Sequence, residues 1–546
     1  MLRELWTTFT NMTNWLLIVI ALVWWVGACV RIFQHIRFFQ IEEYMPLRYL
    51  RWVFSKTARW LPTRATLALF VGGIVSTFIG DTIWVTGIIL VISAVVVIYP
   101  YQLAEVKKGF KRTDRATRLL ASGFVLALLP LVAMVAWTIS QPLTDWHLIA
   151  LGGVGWLVWW MAPDWLVLAN WAMFPVEEGI RQRFRHQARR RLRTVGAKVI
   201  GITGSYGKTS TKQYLEQILN ARYRAFATPK SWNTLMGVCL AINTRMNDDA
   251  EYFICEMGAY VPGEIAQICQ LTHPQISILT EIGPQHLERF KSLENTARAK
   301  YELVKALPAD GVALFNLDNP YLVAMYERPH PTTRLGVSLT GHPAARLIAT
   351  NMVESADGLA FDVTDRATEE TIRFETQLLG THNITNLLLA SALALHEGIT
   401  LKEIARRVRA IQPSESRLVK QVTPNGITII NDAYSANPVG ARSAIRVLGL
   451  HEGGRRLLIT PGMIELGELQ TSENFKLGEY AVEYVTDVIL VGIEQTKPIY
   501  DGLLSGNFER ERIIQVETLT NAIEWYRTHL VSGDTVLFLN DLPDTY

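Results

Sequence analysis

The stretch Lys198-Val-Ile-Gly-Ile-Thr-Gly204-Ser-Tyr-Gly207-Lys208-Thr209-Ser210 decides how this chain is read. A short apolar run makes a strand, a glycine turn follows, and Lys212-Gln-Tyr-Leu-Glu-Gln-Ile-Leu reads as a helix. In that order, the Gly204-x-x-Gly207-Lys208-Thr209 core lets backbone N–H groups and a helix N-terminus wrap phosphates. Gly204, Ser205, Tyr206, Gly207 and Ser210 form the cradle, Lys208 reaches the β and γ oxygens, and the Thr209 hydroxyl serves magnesium. Ile202 stands where the general pattern has its first glycine, so the match is to the core of the motif.

Downstream, Tyr252-Phe-Ile-Cys-Glu256 is a second strand that places Glu256 where a carboxylate meets the metal. A further strand at 275–280 brings His286 just past its end, and Lys300 falls on the helical stretch Ala297-Arg-Ala-Lys300-Tyr-Glu302. Strand signals at 198–202, 252–256, 275–280 and 312–315, separated by helical stretches, indicate a largely parallel α/β ATPase domain over 196–411. An inserted β-rich patch is expected at 333–378. Beyond a boundary near Pro413, strands at 427–431, 456–460, 487–491 and 535–539 alternate with helices in a smaller Rossmann-like domain, 412–546.

Upstream the chain changes kind. Apolar residues make up 49% of the sequence and the mean hydropathy is +0.16, high for a soluble enzyme and low for a protein that is membrane throughout. Residues 1–175 carry apolar runs near 14–30, 65–80, 82–99, 119–139 and 147–163, or about five candidate transmembrane helices. The first run has no basic flank or small-residue cleavage site, so it is not a signal peptide. Arg31, Arg37, Arg48, Arg51, Lys56, Arg59 and Arg64 cluster after it, and Lys107, Lys108, Lys111, Arg112, Arg115 and Arg118 after the third. Lys and Arg near span ends prefer the cytoplasm, so the N-terminus is expected outside and the α/β part inside. Residues 176–195, rich in arginine, read as a basic helical linker against anionic lipid.

A net charge of +3 gives no argument for nucleic acid. The four cysteines show no CxxC pair, which fits reduced thiols. A transporter driven by the P-loop would need a Leu-Ser-Gly-Gly-Gln-like signature, and none is present.

The stretches GITGSYGKTS, EMGAYVPGEIAQI, ISILTEIGPQHLERFKSLENTARAKYEL, GTHNITNLLLASALAL and NDAYSANP resemble the Mur ligases, and within them the branch that adds D-alanyl-D-alanine to a UDP-linked muramoyl tripeptide. The resemblance implies a bacterial, ATP- and magnesium-dependent ligase acting through an acyl phosphate. It assigns Lys208 and Thr209 to phosphate and magnesium, Glu256 and His286 to the metal, and Lys300 to a lysine that is carbamylated to hold a second magnesium. Asn383 and Asn386 correspond to the adenine-side amides, and Arg417 to an arginine that reaches the γ-phosphate from the next domain. Asp432, Tyr434 and Asn437 correspond to the loop around ribose and adenine.

The sequence departs from the family in three places. The uridine-reading N-terminal domain has no counterpart, Ser416 replaces a usual glycine, and the end lacks a Lys-Gly-Ser-Arg-like turn. The first departure points to a membrane-bound enzyme with a lipid-linked cell-wall precursor as donor and an amino acid or dipeptide as amine acceptor. Synthesis of a poly-amino-acid polymer stays open beside it, and the oligomeric state is not legible.

Overall fold

The computed structural model describes residues 2–61, 83–98, 110–142, 144–330, 332–414, 417–434 and 436–539. They belong to two compact units, Met1–Arg181 and Gln182–Leu542.

In the first unit the helix Leu2–Ile41 packs against helices Ile83–Ile98, Asp114–Ile139 and Asp145–Trp160. Its buried residues Leu17, Ile20, Trp24, Ala28 and Ile32 recur every three or four positions and so line one face. Gly155 lets that face approach, because a Cβ there would lie 2.4 Å from Cγ of Trp24. Buried polar groups are tied down by backbone and rings. The Arg31 guanidinium donates to the carbonyls of Arg59 and Trp60 at 3.2 and 3.0 Å and lies 4.1 Å from the Trp159 ring centre. Arg59 likewise donates to the Trp52 carbonyl at 2.8 Å and covers the Trp52 ring.

Among the described residues, two helical segments are long and apolar enough to cross a membrane, Asn14–Ile41 and Asp114–Ile139. A third is counted only if Trp146–Trp160 and Ala162–Val195, bent by 68° at their junction, form one broken span. Of the five expected spans, the described residues bear out two, with a third if the bent pair is one span. The run at 65–80 lies outside the described residues. Within the run at 82–99 the described residues form the helix Ile83–Ile98. The run at 147–163 breaks at Met161, a bend that hydropathy does not register. Residues 176–195 are helical, as expected, and continue the helix that begins at Ala162 and runs through Pro175.

The second unit holds two sheets. The larger has nine strands in the order β2-β3-β1-β4-β5-β6-β7-β8-β9, with β1 Lys198–Thr203, β2 Ala225–Ala227, β3 Tyr252–Glu256, β4 Ile276–Leu279, β5 Val312–Asn316, β6 Thr333–Ser338, β7 Leu347–Ser355, β8 Gly358–Asp365 and β9 Glu370–Thr376. Pairings from β2 through β7 are parallel and the last two are antiparallel. The patch expected as an insertion at 333–378 thus extends the main sheet rather than standing apart from it. Strands β1, β3 and β4 are near-continuous apolar runs because helices cover both their faces. On one side Ile200, Ile202, Ile254 and Ile278 meet Leu387, Leu388 and Leu215, each worth about 1.5–3 kcal/mol on burial.

The smaller sheet has the order β10-β11-β15-β12-β13-β14, from Val419–Val422, Thr428–Asp432, Arg456–Thr460, Asp487–Val491, Ile513–Val516 and Thr535–Leu539 for β10 through β15. All pairings but β10 with β11 are parallel. The final strand β15 sits in the middle of this sheet. The segment 182–195 is fastened to the larger module: Arg191 donates to the carbonyls of Asn243 and Met246 and pairs with Asp248, and Arg189 donates to the Gln270 carbonyl.

Candidate active site

The registers Ile202 opposite Glu256 and Thr203 opposite Leu279 bring the carboxyl ends of β1, β3 and β4 side by side. Open parallel sheets bind ligands at that edge. The turn after β1 is the glycine loop, and it requires glycine at two places. Gly207 has φ 78°, where a Cβ would fall 2.4 Å from Oδ1 of Asn386; a Cβ at Gly204 would fall 2.0 Å from Oγ1 of Thr280. The loop after β4 braces it: Glu281 O accepts from the Ser205 N–H at 2.7 Å, the Ser205 hydroxyl donates to the Gly283 carbonyl at 3.0 Å, and the Thr280 hydroxyl donates to the Tyr206 carbonyl.

Lys208 opens the helix Lys208–Leu219, and its ammonium folds back onto the carbonyls of Gly204 and Ser205 at 2.7 and 3.0 Å. Burial, partly offset by Glu256 and reinforced by Arg417, pulls its pKa down to about 8. Arg417 comes from the smaller module, donates to the Thr209 hydroxyl at 3.2 Å, and lies 4.5 Å from the ring centre of Tyr434. Tyr434 reaches the other way, its hydroxyl bonding that of Ser231. Asp432, at the end of β11, accepts from the Leu418 N–H at 3.2 Å. Burial raises its pKa to about 6 against the pull of Arg417 and that N–H.

A cavity of about 490 Å³ opens beside the loop, lined by Tyr206, Gly207 and Ser210 from the larger module and by Arg417, Asp432 and Asn437 from the smaller, with Asn383 and Asn386 between. The two asparagines also serve the fold. Asn386 accepts from the Thr211 hydroxyl at 3.1 Å, and Asn383 accepts from the Tyr214 hydroxyl at 3.0 Å and donates to the Leu379 carbonyl at 2.8 Å. They fix the helix His382–His396 against the P-loop helix. Asn437 caps the helix Pro438–Gly449 by accepting from the Gly440 N–H at 2.9 Å.

Among the described residues no three His, Cys, Asp or Glu side chains cluster to hold a cation. His286 has φ 53° at a helix start, and its Nδ1 meets the carboxylate of Glu465 from the smaller module. Lys300 is 3% exposed, with its ammonium 5.5 Å from the Phe290 ring centre. Burial and then Lys208 hold it well below the usual lysine range, partly offset by Glu264 and Glu302. Glu256 and the Thr209 hydroxyl do fit magnesium. Both are hard oxygen donors, and a carboxylate with one hydrogen bond on each oxygen keeps lone pairs for a cation. Magnesium commonly takes one or two protein oxygens and its remaining ligands from phosphates and water.

Two residues not expected at the site, Lys212 and Asn233, hold the two oxygens of Glu256, each at 3.0 Å. The signal was there for Lys212, four residues after Lys208 and so one turn further along the same helix. Nothing comparable marked Glu281, which lines the cavity; Asn316 and Asn319 donate to its carboxylate, and burial raises it to about 7 despite them.

A glycine loop at the carboxyl edge of a parallel sheet, with an arginine delivered onto it by a second α/β module, defines a two-module nucleoside-triphosphate enzyme. Family models for the Mur ligase middle domain and the Mur ligase glutamate ligase domain match residues 202–394 and 416–540. The chain belongs to the Mur ligase family: it is an ATP-dependent amide-bond ligase that uses ATP and Mg²⁺. It is 30% identical over 348 residues to the UDP-N-acetylmuramoyl-tripeptide–D-alanyl-D-alanine ligase of Bacillus subtilis, covering 64% of this chain and 74% of that one. The same-named ligase of Mycobacterium leprae is 31% identical over 367 residues, at 63% and 70% coverage. In fold it is similar to MurF of Acinetobacter baumannii (TM-score 0.58, 24% identity, 66% and 77% covered) and to MurF of Thermotoga maritima in complex with ADP (TM-score 0.58, 22% identity, 66% and 80% covered). The helical region lies outside both family models and takes the place of the family's usual first domain.

Proposed function

We propose that this protein is a membrane-bound ligase of the bacterial cytoplasmic membrane that joins D-alanyl-D-alanine, or a similar dipeptide, to a muramoyl tripeptide carried on a lipid at the inner leaflet. The N-terminus lies outside and the catalytic modules in the cytoplasm. One observation carries this reading: an apolar helical unit stands where a soluble sugar-nucleotide-binding domain is usual.

The donor carboxylate attacks the γ-phosphate of ATP, releasing ADP and leaving an acyl phosphate; the dipeptide amine then attacks the acyl carbon and phosphate departs. Lys208 and Arg417 neutralise charge on the transferring phosphoryl group, so catalysis is mostly positioning and electrostatics. The loop from Gly204 to Ser210 holds the phosphates, Asp432 and Asn437 the ribose side, and Asn383 and Asn386 the adenine side, with Tyr434 stacking on Arg417 to orient it. Thr209 and Glu256, with His286, are the residues to hold magnesium, which when bound supplies charge neutralisation to the phosphates. Lys300, buried and kept toward its neutral amine, is suited to take up CO₂ as a carbamate; an intact-mass measurement would show one added CO₂.

The test supplies purified protein with ATP, magnesium, D-alanyl-D-alanine and either the UDP-linked or the lipid-linked tripeptide, and identifies products by mass. Ligation to the lipid-linked donor is expected. Activity confined to the soluble nucleotide would remove the lipid from the reading and leave the ligase.

A further inference from the structure

Lys212 and Glu256 form an ion pair sealed inside the larger module. Both side chains are 1% exposed, and the ammonium donates to Oε2 of Glu256 at 3.0 Å. Lys212 also donates to the Lys230 carbonyl, Asn233 donates to Oε1 at 3.0 Å, and the Glu256 N–H donates to the Thr228 hydroxyl at 3.1 Å. Each carboxylate oxygen thus holds one hydrogen bond, and the Glu256 backbone is tied to Thr228, before any nucleotide arrives. An ionised carboxylate buried so completely needs a counter-charge. Magnesium that comes and goes with the nucleotide cannot be that charge in the empty enzyme.

We propose that Lys212 is a positioning residue: a built-in cation that neutralises Glu256 and keeps its carboxylate aimed at the nucleotide site while the divalent ion is absent. The proposal rests on the reading of Glu256 as a magnesium ligand. It has two consequences. The nucleotide-free protein does not need divalent ions for its fold, and free magnesium binds it weakly, because the ammonium repels a second cation at short range. Removing the ammonium turns Glu256 into a carboxylate that recruits the metal by itself.

The experiment is calorimetric unfolding of the full-length protein in lipid nanodiscs, without nucleotide, following the transition that Mg-ATP shifts. Wild type, Lys212→Met, Glu256→Gln and the double variant are compared in chelator and in millimolar magnesium chloride. The wild-type transition should not move with magnesium. Lys212→Met should melt about 5 °C lower in chelator and recover most of that loss in magnesium. The double variant should recover without magnesium and ignore it, since neither member of the buried pair is left without the other. If the double variant melts as low as Lys212→Met, the ammonium only anchors the Lys230 carbonyl and the proposal falls. If the double variant recovers but Lys212→Met does not respond to magnesium, Glu256 is no metal ligand, and the reading beneath the proposal is what has failed. Should Lys212→Met not fold, the double variant decides alone: its folding supports the charge pairing and its failure to fold overturns it.

Discussion

The helical unit and the α/β unit both bury cations, and they do so with different residues and different partners. In the first, Arg31 and Arg59 lie on indole rings and point their guanidinium groups at backbone carbonyls. In the second, the basic side chains buried near the glycine loop are lysines: Lys212 meets a carboxylate and Lys300 sits over a phenyl ring, while half-buried Lys208 folds onto its own loop. A guanidinium is planar, delocalised and weakly hydrated, so backbone and ring faces satisfy it permanently. An ammonium is a compact charge that burial destabilises, which suits a site where the ligand brings the opposite charge. Buried arginine marks structure here and buried lysine marks chemistry.

The largest expected effect tests the lysine side. Lys208→Ala should lower product-linked ADP release by about 10³-fold or more, as removal of a key phosphate contact does, with unfolding of the helical unit unchanged. Undiminished ligation by that variant would break the comparison at its centre. Arg417 is the arginine that crosses over, since it is delivered to the phosphate site rather than locked into a fold. Arg417→Ala should cost about 10²-fold in kcat, measured under saturating Mg-ATP.

Smaller effects sharpen the other half. Arg31→Lys keeps the charge and loses the fork, so the helical unit should lose about 2–3 kcal/mol in thermal unfolding while ATP turnover holds. A parallel collapse of turnover would show that Arg31 is not merely structural. The smallest effect concerns Asp432, whose carboxyl is raised to about 6 in the fold from an ordinary 3.8. The folded state then holds more proton than the unfolded state between those values, so the burial penalty is absent below pH 3.8 and complete above about 6. Asp432→Asn should remove that pH dependence from the unfolding curve. In the wild type, the KM for ATP should rise by about tenfold per unit as pH falls below 6, because the ionised carboxylate is the form that accepts ribose hydroxyls; a flat profile would detach Asp432 from the nucleotide.

Legibility in the sequence followed the same division. The strand-turn-helix at 198–219 and the strands β3, β4, β5, β11, β12, β13 and β15 were readable because parallel strands buried on both faces are uniform apolar runs with turn residues between them. Short or edge strands such as β2, β10 and β14 carry too few residues for a pattern. In the helical unit apolarity marked the two long spans, while the 68° break at Met161 could not be read because a bend leaves hydropathy unchanged.

The sequence by itself determined the nucleotide chemistry: glycine where the backbone has positive φ and no room for a Cβ, a lysine and a hydroxyl directly after it, and a family resemblance that the comparisons bear out. The tertiary structure alone decided who serves whom. It set Lys212 and Asn233 on Glu256, turned His286 toward Glu465, and brought Arg417 onto Thr209 across 208 positions of chain. Spacing within one element is a local property that sequence encodes directly. Which charge meets which across two modules depends on packing and desolvation, and those are summed only when the chain is folded.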